Sequence, residues 1–294
     1  MRIFLGWIRS TKRGALPGVG LNQETLLVRR VVGDERARAV AGQAFIALGR
    51  GILFIAFLGA WAFISGRFVD RQFVSNPLEV MTAFSTLVSS GSLWQNLGQT
   101  LVEVLAGYGV GASLGIIAAL LFAPLETAQQ VLRPFLVAIY AIPKIALAPL
   151  IIMWFGLETA PKVILAAGFV FFVVFMNMSA GVYSVAPDLL NVARVMSAGR
   201  LSLVGKIILP GTVPYLFVGL RLAVPEALLG AVVGEFISSR SGLDYLVNSA
   251  VEQFNAAAAL AAIVALLLIV LIMDAGLNIA ERRLLRWQPR AHSA

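Results

Sequence analysis

Six ionisable side chains stand inside apolar runs where charge is costly: Glu103, Lys144, Arg221, Glu226, Glu235 and Asp274. In hydrocarbon such groups cost several kcal/mol, so they face a bundle interior or water and often mark a solute or ion route. Lys144 is the most informative, because Pro143 precedes it and Pro149 follows in the same run. Proline breaks helical bonding, and the freed backbone is tolerated only where it meets protein or a cavity. A cation at such a break can meet an anionic solute, or it can pair with Glu226 and fix helix packing. Glu226, beside Pro225, carries the same two readings. Asn177 can donate to a solute or to a neighbouring helix. Lys144, Asn177 and Glu226 are therefore the candidate translocation path. Glu103, Glu235 and Asp274 lie within about two turns of the ends of their runs and suit an interfacial position. Arg221 reads as structural, reaching headgroups or helix ends. The run Phe169, Phe171, Phe172, Phe175, Met176 and Met178 reads as lipid-facing packing.

Covalent and metal chemistry have little to work with. The chain has 0 cysteines and a single histidine, His292, almost at its C-terminus. No catalytic dyad and no thiolate or imidazole metal site is expected inside the apolar runs. The nearest thing to a phosphate loop is GRLSLVGKI, Gly199 to Ile207, in which five residues rather than four separate the glycines and Ile207 stands where Mg-binding Ser or Thr is needed. We expect no cofactor on this chain.

The elements that position these residues are membrane spans. Of the 294 residues 59% are hydrophobic and 13% charged, about half the usual charged share, and the mean hydropathy is +0.88. Runs of about 20 apolar residues, enough to cross hydrocarbon as helix, recur along the chain. The expected fold is all-α, a polytopic transmembrane helical bundle of about six spans: 44–66, 97–123, 132–155, 161–183, 213–237 and 256–279. Residues 1–43 form a basic cytoplasmic segment, with an interfacial helix expected over about 23–43, residues 44–287 the membrane domain and 288–294 a cytoplasmic tail. Of the 23 Lys and Arg, Arg67, Arg71, Lys162 and Arg240 fall outside, Lys144 and Arg221 within spans, and all others on the side of both termini. That bias sets both termini in the cytoplasm, and it explains the net charge of +8 without nucleic acid.

One polar island interrupts the spans. DLLNVARVMSAGRLSLVGKIILPGTVP, Asp188 to Pro214, carries Arg194, Arg200 and Lys206 between two apolar runs. Its Leu189, Leu190, Val192, Ala193, Val195, Met196, Leu201, Leu203 and Val204 recur at helical spacing. The pattern predicts two short helices around the Ser197-Ala198-Gly199 break, ending at Pro210. A connecting loop would be shorter and richer in turn residues. The island therefore reads as a docking surface for a soluble partner, or as an amphipathic loop resting on the membrane.

The island resembles the cytoplasmic loop of the inner-membrane permease subunits of binding-protein-dependent ABC importers, in the nitrate, sulfonate, taurine and bicarbonate group. The family's loop reads E-A-A, three residues, G, nine residues, I-x-L-P. Aligning Ile207-Ile208-Leu209-Pro210 on its end sets Asn191, Val192 and Ala193 at E-A-A and Ser197 at the glycine. AIPKIALAPLIIMWFG (Ala141 to Gly156), GLRLA (Gly219 to Ala223), VVGEF (Val232 to Phe236), SGLDYL (Ser241 to Leu246) and ERRLLRW (Glu281 to Trp287) are also similar to this group. The likeness runs from about Phe73 to Trp287. It implies a type I ABC importer permease fold and a bacterial inner-membrane location. It also implies a second permease copy, an ATP-binding subunit carrying ATP and Mg, and an external solute-binding protein. The coupling-loop residues would be Asn191, Val192, Ala193, Arg194, Ser197, Ala198, Gly199, Arg200 and Pro210, within 187–212. The chain would not be an enzyme; it would pass a small solute such as nitrate, a sulfonate, taurine, bicarbonate or an organic carboxylate. The alternative is an ion-gradient-driven secondary transporter or channel, which calls for midplane acids and inverted repeats.

Overall fold

The computed structural model describes residues 45–123, 131, 134–135, 138–238 and 240–285. The N-terminal segment and the C-terminal tail expected above lie outside the described residues. The chain divides into two units, Met1–Phe63 and Ile64–Ala294. Helix α1 (Phe45–Ile64) makes up the described part of the first. None of its hydrophobic window is buried.

The second unit opens with α2 (Pro77–Ser89). The Asn76 side chain accepts from the N–H of Leu78, and Glu79 Oε2 accepts from the N–H of Asn76, closing a capping box with Pro77 in the first turn. Ser75 Oγ donates to the same carboxylate at 2.8 Å. That bond, followed by the Asn76 N–H, holds the Glu79 carboxyl below its usual range.

Helix α3 (Ser92–Phe122) lies against α5 (Thr159–Tyr183) through a glycine seam. A Cβ on Gly107 would stand 2.4 Å from Ala166 Cβ, one on Gly111 2.4 Å from Ala167 O, and one on Gly115 2.9 Å from Phe171 O. Glycines four residues apart share a helix face, so their spacing lets the two backbones approach closely. Gly109, on another face, has open space around it.

The run expected as a third span is broken. A helical piece over 138–141 stops at Ile142-Pro143, a 3-10 turn covers Lys144–Leu147, and α4 (Ala148–Phe155) restarts with Pro149 in its first turn. Proline disfavours helix at the residue before it, which accounts for the stop. Part of this run, Arg133 included, lies outside the described residues.

After α5 come α6 (Pro187–Val195), α7 (Arg200–Leu203), a π-helical turn (Val204–Ile208) and α8 (Leu209–Ser238). The expected stop at Pro210 does not occur: Leu201–Ile237 is one continuous helix. Pro210 would clash with the carbonyl four residues back in a regular helix, and the widened turn directly before it relieves that. Short α9 (Leu243–Glu252) and α10 (Ala256–Leu284) complete the unit. Five described helices are long and apolar enough to cross a membrane.

Candidate functional site

The island is an α6–α7 ledge at one end of the second unit. Leu190, Ala193, Ala198, Leu203, Val204, Ile207 and Ile208 turn inward, packing with Ala123 from the end of α3 and Val182 from α5. Leu189, Val192 and Met196, spaced to share a helix face, turn outward with Val195 and Leu201; Val195 is 86% and Leu201 90% exposed. Asn191, Gly199, Lys206 and Pro210 are exposed as well. The side chains of Arg194 and Arg200 lie outside what the structure describes. An apolar face this bare, on helices rooted by their other face, suits a protein partner better than water.

Ser197 occupies the glycine position of the family loop and has φ 57°, in the left-handed region that glycine adopts freely. The Ala198 N–H reaches back to Ala193 O at 2.9 Å, and both side chains sit in the island's small core. This is the Schellman ending of a helix, with its apolar contact. The resemblance sets a glycine at this position, and the backbone here is one that glycine favours. Ser197→Gly should therefore raise the melting temperature of the purified chain slightly, worth up to about 1 kcal/mol. Ser197→Val should lower it, because a β-branched residue resists positive φ.

At the opposite end of the unit, roughly 30 Å along α3 at 1.5 Å per residue, polar groups converge. Lys162 Nζ lies 2.9 Å from Glu103 Oε1, and both side chains are buried. Gln99 Nε2 donates to the same oxygen at 2.6 Å. Glu235 Oε1 accepts from Thr100 Oγ1 at 2.5 Å, and its Oε2 accepts from the N–H of Asp244 at 2.8 Å. Thr100 Oγ1 also accepts from the N–H of Leu243, and Asn96 Oδ1 from that of Gly242. Gly242 has φ 117°, and a Cβ there would lie 2.3 Å from the Glu235 carboxyl carbon. Only glycine lets this loop close over Glu235. Lys162, Glu103 and Glu235 are thus buried in protein and bonded there, so their side chains are not turned out toward headgroups.

Lys144 is half-buried above three rings, 4.6 Å from the centroid of Tyr140, 5.0 Å from Phe169 and 5.4 Å from Phe172. These are cation–π distances. Glu226 acts on it electrostatically, without an ion-pair contact. Asn177 spends its amide on Val173 O of its own helix at 2.8 Å, while its Cβ lies beside Gly219 of α8. The structure thus relates Lys144 to Glu226 and leaves Asn177 on the α5–α8 contact. Phe169, Phe175 and Met178 are buried in protein, so the lipid-facing reading of that run fails for them. Arg221 bridges α8 to α10. It lies 3.3 Å from Asp274 Oδ1, 2.5 Å from Glu281 Oε2 and in contact with Asn278 Oδ1, three residues on one face of α10. Asp274 is therefore a clamp partner rather than a free interfacial acid.

A multi-span helical unit with a bare ledge at one end and a broken, charged helix within it is the architecture of a polytopic membrane protein. The family model described as binding-protein-dependent transport system inner membrane component matches residues 111–286. The riboflavin transport system permease protein RibX of Chloroflexus aurantiacus is 34% identical over 269 residues, 90% of this chain and 99% of that protein. The putative aliphatic sulfonates transport permease protein SsuC of Bacillus subtilis is 30% identical over 256 residues, 86% and 93% of the two chains. The chain belongs to the binding-protein-dependent transport system inner membrane component family. It is an ABC importer permease, a multi-pass transport subunit and not an enzyme. The solved MetNI methionine ABC transporter, in inward-facing conformations, is similar with a TM-score of 0.51 at 19% identity, covering 65% of this chain and 94% of that one. This likeness shows the all-α type I importer permease fold.

Proposed function

We propose that two copies of this chain form the translocation pathway of an ATP-driven importer for a small anion. A separate ATP-binding subunit holding ATP and Mg docks on α6–α7, and an external solute-binding protein delivers solute at the other end. The chain itself binds no cofactor. Both termini face the cytoplasm of a bacterium, and the chain crosses its inner membrane. The observation that carries this reading is the bare stripe of Leu189, Val192, Val195, Met196 and Leu201 on helices anchored from behind by Ala193, Leu203 and Ile208.

Because α7, the π turn and α8 are continuous, a push on the ledge travels along one rigid element into the membrane. Rigid levers of this kind convert closure of docked domains into opening and closing of a path. Arg194, Arg200 and Lys206 would pair with carboxylates on the ATPase. Anion selectivity rests on Lys144 at the Pro143 break, with Glu226 tuning its charge and Asn177 as a donor along the same route. Nitrate, a sulfonate, taurine, bicarbonate and an organic carboxylate all fit that chemistry.

A glycine inserted after Ser197 should abolish solute-stimulated ATP hydrolysis in the assembled complex while the chain still inserts in the membrane. Charge reversal at Arg194 or Arg200 should lower that stimulation. Stimulation unchanged by the insertion would refute docking on the ledge.

A further inference from the structure

The ammonium of Lys144 lies over three rings at cation–π distance. Among the described residues it makes no hydrogen bond and no ion-pair contact, and Glu226 reaches it only through its field. An ammonium carries three N–H donors, and ring faces stabilise its charge without supplying the oxygen acceptors those donors prefer.

The three rings are not equivalent. Phe169 is 5% exposed and closed off by protein, whereas Tyr140 is 45% exposed and Phe172 is half-buried. The centroids of Tyr140 and Phe172 are 6.1 Å apart with the planes tilted by 56°, and Phe172 meets Phe171 edge-on at 5.0 Å. Open ring surface therefore lies directly beside a cation that lacks an oxygen partner. The turn that carries Lys144, KIAL, has no other polar side chain. Apart from the Tyr140 hydroxyl, these residues offer nothing to replace the water that a small oxyanion would leave behind.

An anion with a flat π-bonded body meets both features at once. Its carboxylate or sulfonate takes the donors of the ammonium, and its ring packs offset or edge-on against Tyr140 and Phe172. One ammonium, with Glu226 in the same field, suits one negative charge rather than two.

We propose that Lys144, Tyr140 and Phe172 form a subsite selective for aromatic monoanions, aryl carboxylates or aryl sulfonates, over aliphatic anions with the same head group. This rests on the reading of Lys144 as the anion contact of the solute, and it adds what the rest of the solute must be.

Saturation-transfer NMR on the full chain in lipid nanodiscs, with empty nanodiscs subtracted, tests this with benzenesulfonate and methanesulfonate. The two share a head group and a charge. Benzenesulfonate should bind about 10-fold more tightly, from two ring contacts at roughly threefold each. Phe172→Leu should cut that ratio about threefold. Tyr140→Leu should do the same, and because Tyr140 is the more exposed ring, it serves where Phe172→Leu misfolds. Lys144→Met should abolish binding of both anions. Equal affinities in the native chain, or a ratio untouched by either ring substitution, would overturn the subsite while leaving Lys144 an anion contact. Failure of both anions to bind the native chain would overturn that reading as well.

Discussion

Lys162→Met is expected to destabilise the membrane-inserted chain by about 3–5 kcal/mol, the usual cost of removing one partner from a buried ion pair. Lys162 stands 2.9 Å from Glu103 Oε1, and neither side chain meets solvent. Without the ammonium, Glu103 keeps only the Gln99 amide. Its charge is left buried among α3, α5 and α8. Unfolding of the chain in lipid, followed by tryptophan fluorescence, measures the loss. Adding Glu103→Gln should recover most of it, because a neutral amide no longer demands a counter-charge. A single variant with native stability would show that the pair is not what joins these helices.

Gly111→Leu should be nearly as damaging. A Cβ at Gly111 stands 2.4 Å from a backbone oxygen and 2.8 Å from Val170 Cβ, so relief requires α3 and α5 to separate. Overpacking costs about 1–3 kcal/mol when side chains can shift, and here the obstruction is backbone, which favours the upper end. Gly109→Leu is the matched control, because nothing lies within 4 Å of a Cβ there. The yield of folded protein after detergent extraction should drop sharply for the first variant and stay near native for the second. Equal yields would contradict the close α3–α5 contact.

Much of the architecture could be read from local pattern. Spans show as length and apolarity, and the glycines Gly107, Gly109, Gly111 and Gly115 point to a close helix contact, which holds for all of them but Gly109. The island stands out because basic residues interrupt apolar runs. The Lys162 cluster could not be read the same way. Glu103 and Lys162 are 59 residues apart and Thr100 and Glu235 are 135 apart, so their meeting depends on helix order. Nearness to the ends of spans pointed instead to headgroups. Gly242 within Ser241 to Leu246 was the available signal, as a glycine that a close approach requires. Helix α2 was also legible in principle, since Asn76-Pro77-Leu78-Glu79 spells a capping box with proline at its first turn.

Lys144 shows a different limit. From sequence alone its partner is either a carboxylate or a solute, and the rings of Tyr140, Phe169 and Phe172 are a third. Aromatic faces hold a cation without neutralising it. A lysine held by rings has no ion-pair partner that a passing anion would have to displace, in keeping with the proposed solute class. At Pro210 a local breaker rule was overridden by one π turn, which no composition signal marks.

The α6–α7 ledge is proposed to seat a separate ATPase. The chain has 0 cysteines, so single cysteines report position without background. Met196 on the ledge is 77% exposed and Ile272 on α10 is 71% exposed. With the ATP-binding subunit copurified, a short thiol-directed crosslinker should join it to Met196→Cys and not to Ile272→Cys. A crosslink from Ile272→Cys with none from Met196→Cys would contradict the account.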